Sequence, residues 1–214
     1  MILFLDETLP SDRRSTLPVS RMIGSYLYLL RQPRLVGYIA TVSVTYVGLF
    51  AYISGSPFVY IEVFGVSEQN YGFLFGVNVI GMMLGALVNS RLVVRVGSDT
   101  LLRRGTLAAA LTGAWLIVDG YFAIGGLIGI MVPLFCFMTS MSFIGANSVA
   151  GGLALVPELA GTASALFGMI QFLVGGLLGS LVAILYDGTA FPLALIIGLS
   201  GIFGMALHRR TVRG

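Results

Sequence analysis

Charge is scarce in this chain. Only 10% of its 214 residues are Asp, Glu, Lys or Arg, against roughly 25% in soluble proteins. So few charges cannot cover a water-exposed surface, which excludes a soluble globular domain and makes lipid the solvent. Lysine is absent, and all twelve basic residues are Arg. The sequence pI of about 9.2 does not mark a nucleic-acid partner, because the placement of those Arg has a membrane explanation. The single Cys, Cys136, excludes an internal disulfide, and its apolar surroundings predict a small buried side chain. One His and one Cys in different spans make no metal site. No Walker-type phosphate loop is present, so an ATP-driven pump is unsupported. No metal, cofactor or catalytic residue is expected.

Apolar residues and glycine are abundant instead. Hydrophobic residues make up 57% of the chain and Gly 29 of 214, and mean hydropathy is +0.97. A bilayer-crossing helix needs roughly 20 apolar residues, and only helices or closed barrels satisfy the backbone in lipid. The apolar runs do not alternate as barrel strands would. They predict six transmembrane helices at about 36–61, 70–90, 102–119, 124–148, 161–185 and 190–208. The expected class is therefore all-α integral membrane.

Charge placement orients these spans. Arg13, Arg14, Arg21, Arg31 and Arg34 precede the first. Arg91, Arg95, Arg103 and Arg104 lie between the second and third, and Arg209, Arg210 and Arg213 follow the sixth. With six spans every Arg falls on one side, while Glu62, Glu68, Asp119 and Asp187 fall on the other. The positive-inside rule makes the Arg side, and with it both termini, cytoplasmic. Tyr60, Tyr71, Tyr121 and Tyr186 near the outer ends fit an aromatic belt. Residues 1–35 are expected to form a cytoplasmic loop, 36–208 the bundle and 209–214 a tail. Within the loop, Met22, Ile23, Tyr26, Leu27 and Leu30 recur at helical spacing before Pro33. They predict either a short interfacial amphipathic helix or an inward extension of the first span.

Depth selects the polar residues of interest. A position about ten residues into a span lies near the bilayer midplane. Tyr46, Asn78 and Gln171 meet that test, and Phe50 and Ser54 continue the face of Tyr46 at i+4 and i+8. Such residues either line a cavity or make interhelical hydrogen bonds. Gly55 and Pro57 are expected to break the first span in its outer part, as a hinge or a static kink. Asn147 and Ser148 read as interhelical anchors. Glycine pairs spaced by four (Gly72/Gly76, Gly81/Gly85, Gly125/Gly129 and Gly175/Gly179) permit close helix contact. No Asp, Glu, Lys, Arg or His stands in the middle of any expected span, so no proton carrier is evident.

Four stretches carry a family resemblance. "ETLPSDRR" (Glu7 to Arg14) follows no apolar leader core and reads as the inside of a loop. With "SGSPFVYIEVFGVSEQNYG" (Ser54 to Gly72), "NSRLVVRVG" (Asn89 to Gly97) and "PELAGTASALFGMIQF" (Pro157 to Phe172), it resembles the major facilitator superfamily. The particular likeness is to the bicyclomycin-resistance (Bcr/CflA) branch of drug:proton antiporters, and to the second half of such a transporter. Val94 stands where the family's cytoplasmic-loop motif has Asp, so Arg95-x-Gly97 implies loop folding rather than a charge relay.

The resemblance implies one six-helix half of a major facilitator fold in the bacterial inner membrane. It implies export of small drug-like molecules against protons, with Tyr46, Phe50, Ser54, Asn78 and Gln171 facing substrate. The expected partners are the lipid bilayer, substrate, protons and a matching first half or second copy. The alternative is a non-transporting membrane subunit or an inert remnant. "GLSG" (Gly198 to Gly201) matches the GxSG signature of rhomboid intramembrane proteases, whose Ser needs a His base from a later helix. His208 is in the same helix, about 12 Å along the axis, so Ser200 is expected to serve packing.

Overall fold

A computed structural model of the protein describes residues 19–212, with side chains from residue 22 onward. The stretch Glu7 to Arg14, the Arg21 side chain and Arg213 lie outside the described residues. Among the described residues eight α-helices run in order: α1 (Val19–Leu30), α2 (Pro33–Pro57), α3 (Glu68–Val96), α4 (Ser98–Phe122), α5 (Gly126–Ala154), α6 (Ala160–Gly179), α7 (Leu181–Leu185) and α8 (Phe191–Thr211). No strand occurs among the described residues. Among the described residues six helical segments are long and apolar enough to cross a membrane: α2 with its extension to Val63, α3, α4, α5, Pro157–Leu185, and α8.

The third span illustrates why most helices outrun their apolar runs. Hydropathy predicts 102–119, but α4 begins at Ser98 directly after Gly97, whose φ of 82° suits glycine alone. Backbone hydrogen bonding carries a helix into the interface, where hydropathy no longer reports it. Gly97 thus makes the tight α3–α4 connection, in line with the loop-folding reading of its motif. At the far end of α4, Ala123 adopts φ 50° and its N–H donates to the Asp119 carbonyl at 2.7 Å.

Two expectations are corrected in detail. The first span does not break at Gly55 and Pro57. It stays helical through both and widens into a π-helix over Phe58–Val63, where the Phe64 N–H donates to the Val59 carbonyl at 3.1 Å. A wider register accommodates the donor that proline lacks. The fifth span, expected to be continuous, is interrupted at Ser180 between α6 and α7. The segment before the first span is a separate helix, because the chain turns at Arg31–Gln32 and α2 starts on Pro33. Leu29 of α1 is buried, whereas Met22, Ile23, Leu27, Tyr28 and Leu30 are exposed.

Helices α2, α4, α5 and α8 form the centre; α3 leans on α5, and α6 on α2. In the most apolar stretch of each span, 61% of residues are buried in the first but 17% in the second and fifth. The central seams are glycine contacts. A Cβ at Gly198 would stand 2.5 Å from the Gly113 carbonyl oxygen, and one at Gly201 2.5 Å from that of Ala109. Only glycine lets α4 and α8 meet backbone to backbone in this way.

The charges separate by end. Gly37 of α2 meets Thr211 of α8, and Tyr38 donates to Asp99 of α4 at 2.8 Å, so the Arg-bearing helix ends converge. At the opposite end Phe58 packs on Tyr186, Tyr121 on Phe191, and the Asp119 carboxylate accepts the Gly125 N–H at 3.2 Å. Asp187 lies there too. Its carboxyl is held below the ordinary value, chiefly by the Thr189 hydroxyl.

Candidate functional site

Tyr46, Phe50 and Ser54 share one face of α2, and all three are half-buried. A Cβ at Gly145 would lie 3.4 Å from the Tyr46 hydroxyl, which places that hydroxyl against α5. The Phe50 ring covers Gly175 of α6, where a Cβ would meet its Cδ2 at 2.7 Å. Phe50 also meets Phe172 edge to face, with centroids 5.8 Å apart at 82°. Gln171, half-buried, stands next to Phe172 and one turn before Gly175. The structure therefore brings Tyr46, Phe50 and Gln171 to a common seam of α2 with α5 and α6. Aromatic and amide groups on such a seam offer dispersion and hydrogen bonding without fixed charge, which suits varied apolar ligands.

Asn78 is not part of that seam. It is 1% exposed and buried between α3 and α2. Its amide N–H donates to the Tyr52 hydroxyl at 3.1 Å, to Tyr60 at 3.5 Å and to the Leu74 carbonyl at 3.3 Å. Tyr52 stacks on Phe75 with centroids 5.1 Å apart, and Ser56 pairs with Tyr71 at 3.0 Å. Tyr52 follows Phe50 by two residues, a rotation of about 200° at 3.6 residues per turn. Asn78 and the Tyr46 face therefore occupy opposite sides of α2. The sequence reading missed this cluster, although Tyr52, Ser56 and Tyr60 repeat at i, i+4 and i+8 as Tyr46, Phe50 and Ser54 do.

Toward the Arg-bearing end, Asn147 of α5 donates to Asn89 of α3 at 2.6 Å, both being buried. This is the anchoring expected of Asn147. Gly55 is a packing position as well: a Cβ there would meet Val182 at 2.8 Å and Leu193 at 2.9 Å. Ser200 donates to the Ile197 carbonyl of its own helix at 2.7 Å and is 4% exposed, so it serves packing as expected. Cys136 corrects an expectation, since its side chain is exposed on α5 in a groove toward α4. An apolar run in lipid does not imply burial in protein, because the lipid-facing side of a helix is equally apolar.

Comparison with known proteins follows the same lines as the fold. No protein-family model matches the chain. It is 32% identical over 194 residues to the bicyclomycin resistance protein homolog of Haemophilus influenzae, across 91% of this chain and 48% of that protein. It is 30% identical over 200 residues to the MFS-type transporter YdgK of Bacillus subtilis, across 94% of this chain and 49% of that one. Multidrug resistance protein D of Escherichia coli is 26% identical over 202 residues, across 94% of this chain and 50% of its own length. The chain thus spans about half the length of the curated relatives it matches. Six apolar spans, aligned along nearly their whole length with such transporters, make this multi-pass membrane protein a member of the major facilitator superfamily, in its bicyclomycin-resistance branch.

Proposed function

We propose that this chain acts as the second six-helix half of a proton-coupled exporter of small drug-like molecules in the bacterial inner membrane. The observation that carries the reading is the alignment of nearly the whole chain with half of each of several drug-resistance transporters. Tyr46, Phe50, Ser54 and Gln171 face substrate from α2 and α6. Asn78 acts from behind, holding α3 against α2. The π-turn after Pro57, with Gly55 packed beside it, is the hinge at which the outer part of α2 bends. Among the described residues Asp, Glu, Arg and His lie toward the helix ends, so the proton carrier belongs to the first half, and alternating access comes from rocking of one half against the other. The Arg-bearing end, with both termini, faces the cytoplasm. Helix α1 lies on that membrane face ahead of α2, and α8 carries Arg209 and Arg210 to the same side.

Co-expression with a matching first half should lower drug accumulation in a sensitive host. Proteoliposomes holding this chain alone should show no drug-dependent proton flux. Robust flux from the chain alone would overturn the half-transporter reading and leave a homodimer. Unchanged accumulation by the pair across a broad drug panel would overturn export and leave a non-transporting subunit. Reporter fusions at Gly65, Gly120 and Gly188 should read external, and those at Ser98 and Pro157 internal; a cytoplasmic signal from any of the first three breaks the orientation.

A further inference from the structure

We infer that the crevice between α4 and α8 at the Arg-bearing end is a binding site for the headgroup phosphate of an anionic phospholipid. Arg103 and Arg104 of α4 and Arg209 of α8 all line this cavity of about 360 Å³, together with Leu107 and Met205. Thr106 and His208 complete the lining, and the Thr106 hydroxyl donates to the Arg103 backbone carbonyl at 3.0 Å. Asp99, one turn before Arg103, lines a neighbouring cavity with it and accepts the Tyr38 hydroxyl of α2 at 2.8 Å. Three guanidinium groups converge where a helix pair leaves the hydrocarbon. Basic pockets between transmembrane helices at that depth hold anionic headgroups, and Arg offers the planar fork that fits phosphate oxygens.

A second observation distinguishes a lipid from a free anion. Arg104 also lines an apolar groove of about 350 Å³ between α4 and α5, bordered by Leu92 of α3, Phe135, Cys136 and Phe143. One side chain therefore lines both a cationic cavity and an apolar groove beside it. A phosphate esterified to acyl chains fills both, whereas inorganic phosphate fills only the first. The stripe continues along α4, where Arg104, Ala108, Leu111 and Trp115 are all exposed at i, i+4, i+7 and i+11. Eleven residues turn a helix about 20° past three full turns, so Trp115 stands on the Arg104 side.

Trp115 is the sole tryptophan and serves as the reporter. The 214-residue chain is placed in nanodiscs, and lipid brominated in the acyl chain is titrated as phosphatidylglycerol or as phosphatidylcholine. Brominated phosphatidylglycerol should quench Trp115 at about tenfold lower mole fraction. Each Arg near the surface is worth roughly fivefold, so Arg104→Gln with Arg209→Gln, worth up to about 25-fold together, should abolish a tenfold preference. Arg91→Gln with Arg95→Gln, on α3 outside the cavity, should preserve it and exclude a general charge effect. Equal quenching by the two lipids in the unaltered chain overturns the inference and needs no variant. So does a preference that survives Arg104→Gln with Arg209→Gln, or one removed equally by the α3 pair. Displacement of phosphatidylglycerol by millimolar inorganic phosphate would assign the crevice to a free anion instead.

Discussion

The four central helices and the two outer ones, α3 and α6, are built from the same residue types yet are held in different ways. Between α4 and α8, Gly113, Gly198 and Gly201 bring backbones together. On α3, Gly81 and Gly85 seat against Phe135 and Thr139 of α5, while Gly72 and Gly76 on the same helix have nothing within 4 Å of a Cβ. The outer helices are thus fixed along one narrow line. Their remaining surface is apolar and exposed, with Phe73, Met83, Leu173 and Leu177 all more than half accessible. In lipid this costs little, because hydrocarbon solvates leucine as well as protein does. The central bundle is complete in itself, and α3 and α6 hold surface in reserve, which is where the proposed first half would sit.

The sharpest way to break this contrast is to add bulk to each class. Gly198→Leu drives a side chain into the Gly113 carbonyl and should cost about 3 kcal/mol or prevent assembly of the bundle. Gly72→Leu, at the same kind of residue on an outer helix, should leave stability within about 0.5 kcal/mol of the unaltered chain. Thermal unfolding in detergent, read by size-exclusion fluorescence, checks the pair. Similar losses at both positions would show that the outer helices are packed as tightly as the core.

That pair also marks how far the sequence is legible. The six spans follow from hydropathy, and the segregation of charge follows from counting Arg, because insertion into a bilayer acts on just those properties. Which side of a span faces protein is not written in hydropathy, since both sides are apolar. Cys136 is exposed for that reason, and Gly72/Gly76 and Gly81/Gly85 read alike though only the second pair makes a contact. Depth and period single out Tyr46, Phe50 and Gln171, which the structure sets along the meeting of α2 with α5 and α6. Asn78 meets the same depth test but lies on the other side of α2. Separating the two requires knowing that α3 and α6 flank α2 on different sides, which is a fact of tertiary packing.

The polar links that hold α3 sharpen the comparison at a smaller scale. Asn147→Leu removes the 2.6 Å bond to Asn89 and strands a buried amide oxygen. It should cost about 1 kcal/mol, near the middle of the range for interhelical hydrogen bonds in membranes. Asn78→Leu removes longer bonds, at 3.1 Å and 3.5 Å, along with a buried Oδ1 that has no partner. Its cost should be about half as large. If Asn78→Leu proves the more damaging, the aromatic cluster rather than the asparagine pair is the main attachment of α3.

The smallest effect is expected outside the membrane, where α7 hands over to α8. Asp187 Oδ1 accepts the Thr189 hydroxyl at 2.6 Å and the Thr189 N–H at 3.0 Å, and the Thr189 oxygen in turn accepts the Phe191 N–H at 3.2 Å. This relay supplies an acceptor to the first turn of α8, whose N–H groups have no partner within the helix. Because these bonds favour the ionised carboxyl, its folded pKa lies below the unfolded value of about 3.9. The stabilisation is therefore complete above that unfolded value and is lost as pH falls through the lower folded one. Thr189→Ala should remove most of it, since the Thr189 hydroxyl is the largest cause of the shift. Unfolding midpoints for the unaltered chain and for Thr189→Ala, compared between pH 6 and pH 3, should converge as the pH falls. A difference that stays constant across the range would mean that the hydroxyl acts on α8 alone and owes nothing to the carboxylate.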